Sequence, residues 1–173
     1  MLFKGTTKYG LGEIENRIES LGGVCNAATS LDFTHYYVTI PSSHVNTAVE
    51  MICEMIRSST LEASELEKER LVILEEYRRK QDHPTGILFE QMYATFFRKG
   101  PYHQTVIGTE ETIRSINRDQ MMDYYKQRYS PENMALVICG DVTPAVVDKV
   151  ESVFSGFDRQ LTALHHPPPT EYG

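Results

Sequence analysis

Tryptophan is absent from this 173-residue chain, and cysteine is scarce, with only Cys25, Cys53 and Cys139. The three cysteines are far apart and include no C-x-x-C pair, so the sequence indicates neither a disulfide framework nor a zinc site built from cysteines. Each cysteine lies among apolar residues, and we expect it to pack as a small hydrophobic side chain. Long apolar runs are also missing, which excludes a transmembrane helix and predicts a soluble protein with no membrane partner.

Basic residues are in the minority: 17 Lys and Arg stand against 24 Asp and Glu, and the formal net charge is −7. Proteins that bind nucleic acids present a basic surface to the phosphates, so this acidic balance argues against a nucleic-acid partner. The first residues do not form a signal peptide, although a targeting segment located upstream would not be visible. We therefore favour the cytoplasm as the compartment.

Apolar residues recur at helical spacing along most of the chain, which predicts a succession of helices. The predicted helices lie at residues 11–21, 45–56, 64–83, 86–98, from 109–112 onwards, 118–128 and 143–154. Ser64 and Glu67 form a capping-box pattern at the start of the longest helix. Thr143 and Pro144 are typical of the cap and first position of the last helix.

Two further segments have the composition of strands. Residues 24–40 are rich in β-branched and aromatic side chains and contain a predicted bend at 30–32, and residues 133–142 include the apolar run 134–139. Helices and strands are partly segregated, which predicts an α+β fold: an incomplete two-layer domain with a mostly antiparallel sheet and helices on one face. Two or three strands are few for a sheet, so we expect strands outside this chain to complete it.

The C-terminal residues differ in composition from the rest of the chain. Residues 167–169 are three prolines, which favour a stiff, extended linker. We therefore divide the chain into one domain, residues 1–158, and a proline-rich linker, residues 159–173. The adjacent His165 and His166 could bind a metal, but beside three prolines they are more typical of a linker.

The longest predicted helix carries two glutamates in an unusual position. At about 100° per residue, Leu66 and Ile73 fall on the same side of this helix. Glu69 and Glu76 lie within about 20° of each other inside that apolar arc, and about 10.5 Å apart along the helix axis. A buried carboxylate requires a partner. Periodicity alone leaves two interpretations open: the glutamates flank the core beside a cation such as Arg17, or they form an acidic site.

Several short motifs occur in a fixed order along the chain. They are M-L-F-K-G-T at residues 1–6, G-G-x-x-N-A-A-T at 22–29, E-R-L-V-I-L-E-E at 69–76, P-Y at 101–102 and G-D-V at 140–142. Each motif is weak alone, but the combination resembles the pitrilysin/insulinase peptidases, with the processing peptidases and their bacterial relatives the most similar in style. In that family the first motif directly follows the inverted zinc motif H-x-x-E-H. The resemblance covers nearly the whole chain.

The resemblance implies a role for each of four residues. In the family, the two histidines of H-x-x-E-H and a carboxylate from a second helix bind Zn²⁺, and the glutamate of the motif is the general base. The zinc ion lowers the pKa of a bound water and polarises the scissile carbonyl. By resemblance, Glu76 is the third zinc ligand and Glu69 is an acidic residue that orients or supports the site. Asn26 and Ala27 lie on the strand that pairs with an extended peptide or protein substrate.

The chain departs from the family in one respect, because H-x-x-E-H occurs nowhere among its 173 residues. Each of the single histidines His35, His44, His83 and His103 is expected on the surface or in a loop. The catalytic glutamate and two zinc ligands are therefore missing, and we predict that this chain alone binds zinc weakly and is inactive. A second homologous domain or subunit is the expected partner, and the proline-rich linker leads towards it.

Three functions remain open. The leading hypothesis is an N-terminally truncated part of a zinc metalloendopeptidase that hydrolyses extended peptides bound by edge-strand addition. The second is a non-catalytic subunit or scaffold of the same family, and the third is an α+β peptide-binding module. An in-frame H-x-x-E-H upstream of Met1 favours the first hypothesis, and an upstream stop codon favours the second.

Overall fold

The computed structural model describes residues 1–160 and 171–172. Seven α-helices lie within the described residues: α1 (Glu13–Ser20), α2 (Val45–Ser58), α3 (Ala63–Gln81), α4 (Pro84–Phe96), α5 (Glu110–Ser115), α6 (Arg118–Arg128) and α7 (Pro144–Phe154). Four strands form two separate pairs: β1 (Val24–Thr29) with β2 (Thr34–Thr39), and β3 (Phe97–Lys99) with β4 (Glu171–Tyr172). His165, His166 and most of the predicted linker lie outside the described residues. No helix in the described part is long and apolar enough to span a membrane.

The first strand pair is an antiparallel hairpin. Its register runs from Val24 opposite Thr39 to Thr29 opposite Thr34. The predicted bend at 30–32 is confirmed, since Ser30 N–H donates to the Phe33 carbonyl (2.8 Å) and closes the turn. The second pair, β3 with β4, is also antiparallel. The α+β class with a small antiparallel sheet is therefore confirmed.

Helices cover one face of this hairpin, as predicted. Helices α1 and α2 pack around a buried cluster of Leu2, Ile14, Ile18, Met51, Met55, Leu61 and Tyr125. Tyr36 and Val38 of β2 pack against the same cluster. On the opposite face Phe33 and Tyr37 are 61% and 43% exposed, so the other side of the hairpin is open to solvent.

The predicted strand at 133–142 is wrong. Residues 134–139 form no ladder with any strand in the described part of the chain. A strand requires a neighbour that accepts and donates its backbone hydrogen bonds, and the apolar composition of one segment cannot supply that neighbour. Val137 is consequently 78% exposed. Cys139 is exposed as well, which corrects the expectation that every cysteine packs inside, whereas Cys53 is buried as expected.

The predicted helices are confirmed in number and order, but residues 97 and 98, expected at the end of the 86–98 helix, belong to β3. One predicted cap is also wrong. Ser64 lies inside the first turn of α3, Glu62 precedes the helix, and no side chain caps that end. Glu67, the expected capping partner, instead forms an ion pair with Arg70 (3.0 Å). Pro144 occupies the first turn of α7 as predicted, although the Thr143 side chain makes no cap hydrogen bond.

Residues 59–61, which we call the 59–61 linker, connect α2 to α3. Ser59 N–H donates to the hydroxyl oxygen of Tyr125 (3.2 Å), and that hydroxyl donates to the Ile56 carbonyl (2.7 Å). Ser59 and Tyr125 are both buried, at 6% and 4% exposure. The Tyr125 hydroxyl therefore provides a hydrogen-bond partner both for the buried Ser59 N–H and for the Ile56 carbonyl near the end of α2. These two bonds fix α6 against the linker.

The Tyr125 hydroxyl provides a stability test. Replacing Tyr125 with Phe keeps the ring but leaves the Ser59 N–H and the Ile56 carbonyl without this partner. We expect Tyr125→Phe to lower the free energy of unfolding by about 1–3 kcal/mol, measured by urea denaturation. Tyr124 is 60% exposed, so Tyr124→Phe is the matched control and should change stability by less than about 0.5 kcal/mol. Equal effects of the two substitutions would contradict this role of the hydroxyl.

Gly23 provides a packing test at the point where α1 meets the hairpin. A Cβ atom on Gly23 would lie 2.9 Å from Ile18 Cγ2 and 3.0 Å from the Thr39 carbonyl oxygen. We expect Gly23→Ala to destabilise the fold by about 1–3 kcal/mol, because the buried neighbours must move.

Gly86 is the control for this substitution. The nearest atom to a Cβ there is His83 Cβ at 3.9 Å, and Gly86 lies in the first turns of α4. Gly86→Ala should stabilise the protein by up to about 1 kcal/mol through helix propensity. A thermal unfolding curve of Gly23→Ala that is unchanged, or that moves upwards as expected for Gly86→Ala, would show that Gly23 is not sterically restricted.

Candidate functional site

Helix α3 carries both glutamates and has one buried side. Leu66 and Leu74 are buried at 6% and 3% exposure. Ile73 and Val72 are 37% and 55% exposed, so the prediction that Ile73 lies in the core is wrong. In the second half of α3 the buried stripe is displaced towards Leu74, and Glu76 on the opposite flank faces solvent, whereas Glu65 in the first turn is buried.

Glu69 lies on the partly covered edge of α3. Its carboxylate forms an ion pair with Lys4 Nζ (3.2 Å), and the two side chains are 24% and 29% exposed. The interpretation that a core-flanking cation neutralises this glutamate is therefore confirmed, but the expected partner, Arg17, is wrong. The Arg17 guanidinium lies 6.0 Å from the centre of the Tyr9 ring.

Sequence patterns did not identify Lys4, because it is 65 residues away from Glu69 and belongs to a different segment. Helical periodicity relates residues on one helix and carries no information about a cation that folding brings in from elsewhere. The motif at residues 1–6 and the motif at 69–76 nevertheless meet in the structure through this ion pair.

The amino group of Met1 also lies in this region. Burial lowers its pKa, and the nearby Glu69 carboxylate, together with that of Glu15, partly opposes this effect by stabilising the charged form. The Lys4–Glu69 ion pair thus places the N-terminal segment against α3. Leu2, which follows Met1, is buried in the central cluster and anchors this segment.

Unlike Glu69, Glu76 has a carboxylate that makes no polar contact within the described residues. It is exposed, and no hydrogen bond or ion pair within residues 1–160 and 171–172 involves its carboxylate. Glu76 follows Glu69 by two helical turns, about 10.5 Å along the axis. The described residues contain no group of three His, Cys, Asp or Glu side chains that could hold a metal. The residues present thus fit one ligand of a metal site but do not make a complete site.

Asn26 and Ala27 lie on β1, away from the two glutamates in sequence. In the described sheet β1 is paired on one side only, with β2, so its outer edge is available. The Asn26 side-chain oxygen accepts a hydrogen bond from the Ala27 N–H (2.8 Å). No hydrogen bond among the described residues joins Asn26 or Ala27 to Glu69 or Glu76. The structure therefore brings the two glutamates to one helix and leaves the strand residues as a separate part of the site.

The single histidines are located much as expected. His35, His83 and His103 are exposed, and His44 is half-buried just before α2. His103 Nδ1 is 2.8 Å from the Phe97 carbonyl oxygen. The His35 ring stacks on Tyr37 with ring centres 5.8 Å apart. These contacts account for two of the histidines without a metal.

A cavity in the described part lies away from these residues. It has a volume of about 450 Å³ and is lined by residues that include Tyr9, Glu54, Arg57 and Val153. None of the predicted site residues lines it. The candidate metal ligands therefore lie on an open surface of α3 beside the N-terminal segment, with the outer edge of β1 as a separate surface, and neither is an enclosed pocket of the kind typical of a small-molecule site.

Comparison with known proteins identifies the family to which this chain is related. The family model described as insulinase (peptidase family M16) matches residues 1–110, and the model described as the peptidase M16 inactive domain matches residues 115–173. An uncharacterized zinc protease of Bacillus subtilis (strain 168) is 30% identical over 169 residues, which are 96% of this chain and 41% of that protein. The β subunit of the mitochondrial-processing peptidase of Bos taurus is 35% identical over 143 residues, which are 83% of this chain and 29% of that subunit.

A solved structure agrees with these matches. A protease from Helicobacter pylori superimposes with a TM-score of 0.91 at 26% identity, and the alignment covers 99% of this chain and 42% of that one. The chain thus spans less than half the length of the relatives that it matches. Since the insulinase model matches more than half of its residues, the protein belongs to the insulinase family of zinc metallopeptidases, peptidase family M16.

Proposed function

We propose that this chain is the part of a zinc metalloendopeptidase that contributes one zinc ligand, Glu76, and the substrate-binding strand, and that it is inactive alone. The observation that carries the proposal is the exposed Glu76 carboxylate, which makes no polar contact within the described residues. It lies on the same helix as Glu69, whose carboxylate pairs with Lys4 of the N-terminal segment (3.2 Å). An exposed carboxylate without a partner can act as a ligand of a metal ion that is also bound by residues of another segment.

The Lys4–Glu69 ion pair (3.2 Å) holds the N-terminal segment against α3 and supports the proposal. An H-x-x-E-H segment joined to this N-terminal segment would approach α3 from the side that carries Glu69. Two histidines at i and i+4 on one helix face, with a carboxylate from α3, make the three-ligand set of a catalytic zinc site. Such an ion acts as a Lewis acid and generates a nucleophilic water near neutral pH. In this proposal, Glu69 keeps Lys4 and the N-terminal segment against α3.

The exposed flank of α3 provides independent support. Val72 and Ile73, which border Glu76, are too exposed for apolar residues at the centre of a long helix. A further helix covering this flank would bury both side chains and would enclose the Glu76 carboxylate at the same time. Exclusion of water from that position strengthens the electrostatic interactions of a catalytic metal site.

The outer edge of β1 is proposed as the substrate-binding strand. An extended peptide that pairs with β1 gains backbone hydrogen bonds whatever its side chains, which suits a peptidase acting on varied sequences. The Ala27 N–H, however, is occupied by the Asn26 side chain in the structure. A bound peptide would replace that contact, and the Asn26 amide would then be free to bond the peptide.

A specific observation favours a second candidate function, that of a non-catalytic subunit or scaffold. Residues 115–173 match a model described as an inactive domain, and the described residues hold no complete metal-binding group. In both proposals the partner is a second homologous domain or subunit. The relative from Bos taurus is itself named as a subunit, which supports an assembly.

Zinc titration by calorimetry separates these two functions. We expect no tight binding by the 173-residue chain and one-to-one binding by a form extended upstream through H-x-x-E-H. Glu76→Gln in the extended form should lower the zinc affinity by at least about 100-fold, because the carboxylate ligand, one of the three protein ligands, is lost. Glu75→Gln is the matched control, because Glu75 already pairs with Arg78 on the same helix.

Two results would contradict the enzymatic proposal. Zinc-dependent peptide cleavage by the purified 173-residue chain would show that it is active alone. Absence of zinc binding in the extended form would favour the non-catalytic subunit.

Edge-strand binding can be tested with a backbone-modified peptide. An added strand uses only alternate N–H groups, so N-methylation at one set of positions should weaken binding at least about tenfold while methylation at the other set is tolerated. A ten-residue Val- and Thr-rich peptide with one tryptophan is a suitable probe, because this chain contains no tryptophan and the peptide fluorescence is unobscured. Equal tolerance at both sets of positions would exclude pairing of the peptide backbone with β1.

A further inference from the structure

The 59–61 linker leads into α3 and is hydrogen-bonded to the N-terminal segment. We call the surface on which these two segments meet, through Lys4 and Glu69, the candidate metal face. Thr60 N–H donates to the Gly5 carbonyl (3.2 Å), and Thr7 N–H donates to the Ser58 carbonyl (3.0 Å). Thr6 and Ser59 form an isolated antiparallel bridge and are both buried. The N-terminal segment is therefore attached through its backbone to the residues that lead directly into α3.

The backbone of this linker is unusual at Leu61. Its φ angle is +46°, in the left-handed region that leucine rarely adopts, and it is the only non-glycine residue with positive φ in the described chain. Leu61 is also 2% exposed and belongs to the central cluster. A residue held in this conformation depends on its surroundings, because its own torsional preference favours another arrangement.

Arg118 contacts the linker at this point. It is the first residue of α6 and is half-buried. Its Nε donates to the Leu61 carbonyl (2.8 Å), and its Nη2 donates to the Thr60 carbonyl (2.9 Å). The guanidinium thus donates to two consecutive carbonyls of the linker. This two-point geometry is specific to arginine, since the lysine side chain has a single nitrogen.

We propose that Arg118 is a positioning residue for the metal face: by fixing Thr60 and Leu61, it sets the placement of the N-terminal segment relative to α3. This inference rests on the proposed function, in which the segment directly upstream of Met1 supplies two zinc ligands and Glu76 supplies the third. The two ligand-bearing segments are connected through the linker, so a small change in its backbone displaces one ligand set from the other. Residues that orient metal ligands typically change metal affinity by about 10- to 100-fold when they are removed.

The first test uses the 173-residue chain and does not depend on zinc. Hydrogen exchange is measured at the Thr60 and Thr7 amides in Arg118→Met, Arg118→Lys and Arg159→Met. Arg159 is a stringent control because its guanidinium also donates to two main-chain carbonyls, those of Tyr129 (3.1 Å) and Arg57 (2.9 Å), and packs on the Tyr125 ring (4.3 Å), yet it makes no hydrogen bond to residues 59–61.

We expect Arg118→Met to accelerate exchange at these two amides by at least about tenfold over the control, with the β1–β2 hairpin unchanged, because local opening follows loss of local contacts. Arg118→Lys, which keeps the charge and can keep one hydrogen bond, should fall between the two. If Arg118→Met does not fold, the Arg118→Lys comparison decides the matter. Exchange rates that match the control would overturn the inference.

The second test uses the form extended upstream through H-x-x-E-H, with zinc affinity and the visible absorption spectrum of the Co²⁺-substituted protein as readouts. Arg118→Met should bind zinc about tenfold or more weakly and should alter the cobalt spectrum, whereas Arg159→Met should do neither. An unchanged affinity and spectrum in Arg118→Met would overturn the positioning role. If the unsubstituted extended protein binds no zinc, the proposed function fails, and the hydrogen-exchange result still decides whether Arg118 holds the linker.

Discussion

Backbone contacts between residues 5–7 and residues 58–60 are the constraint on which most of this structure depends. They fix the start of the chain to the end of α2, so Leu2 enters the central cluster and Lys4 reaches Glu69 on α3. The same contacts determine where α3 begins, because the 59–61 linker follows them directly. The helical layer, the orientation of the glutamates and the position of Met1 are thus consequences of one short region of backbone pairing.

The sequence predicted those parts of the fold that depend on local information. Helices α1 and α2 follow from apolar periodicity, and the turn at 30–32 is recognisable as a polar interruption of a β-rich segment. The strand expected at 133–142 could not be decided in this way, because its existence depends on a neighbouring strand. The Ser64 cap failed for a related reason: Glu67 had an alternative partner in Arg70, and the local pattern does not show which contact is preferred.

The candidate site was predictable only where it consists of residues on one element. The spacing of Glu69 and Glu76 was recognisable on a helical wheel, and the family resemblance, which the family match confirms, gave these residues their proposed roles. Lys4 and Arg118 were not recognisable, because each acts on a segment more than 50 residues away. The helical wheel also predicted more burial for Ile73 than the structure shows, since the extent of the buried stripe depends on which helices cover α3.

Residues 134–139 have a consequence for how the chain behaves in a cell. This run is apolar, uncharged and free of proline, and Leu136 and Val137 are 40% and 78% exposed. Such a segment is a template for cross-β aggregation when no strand pairs with it. Each new molecule therefore faces a kinetic competition between productive assembly and self-association.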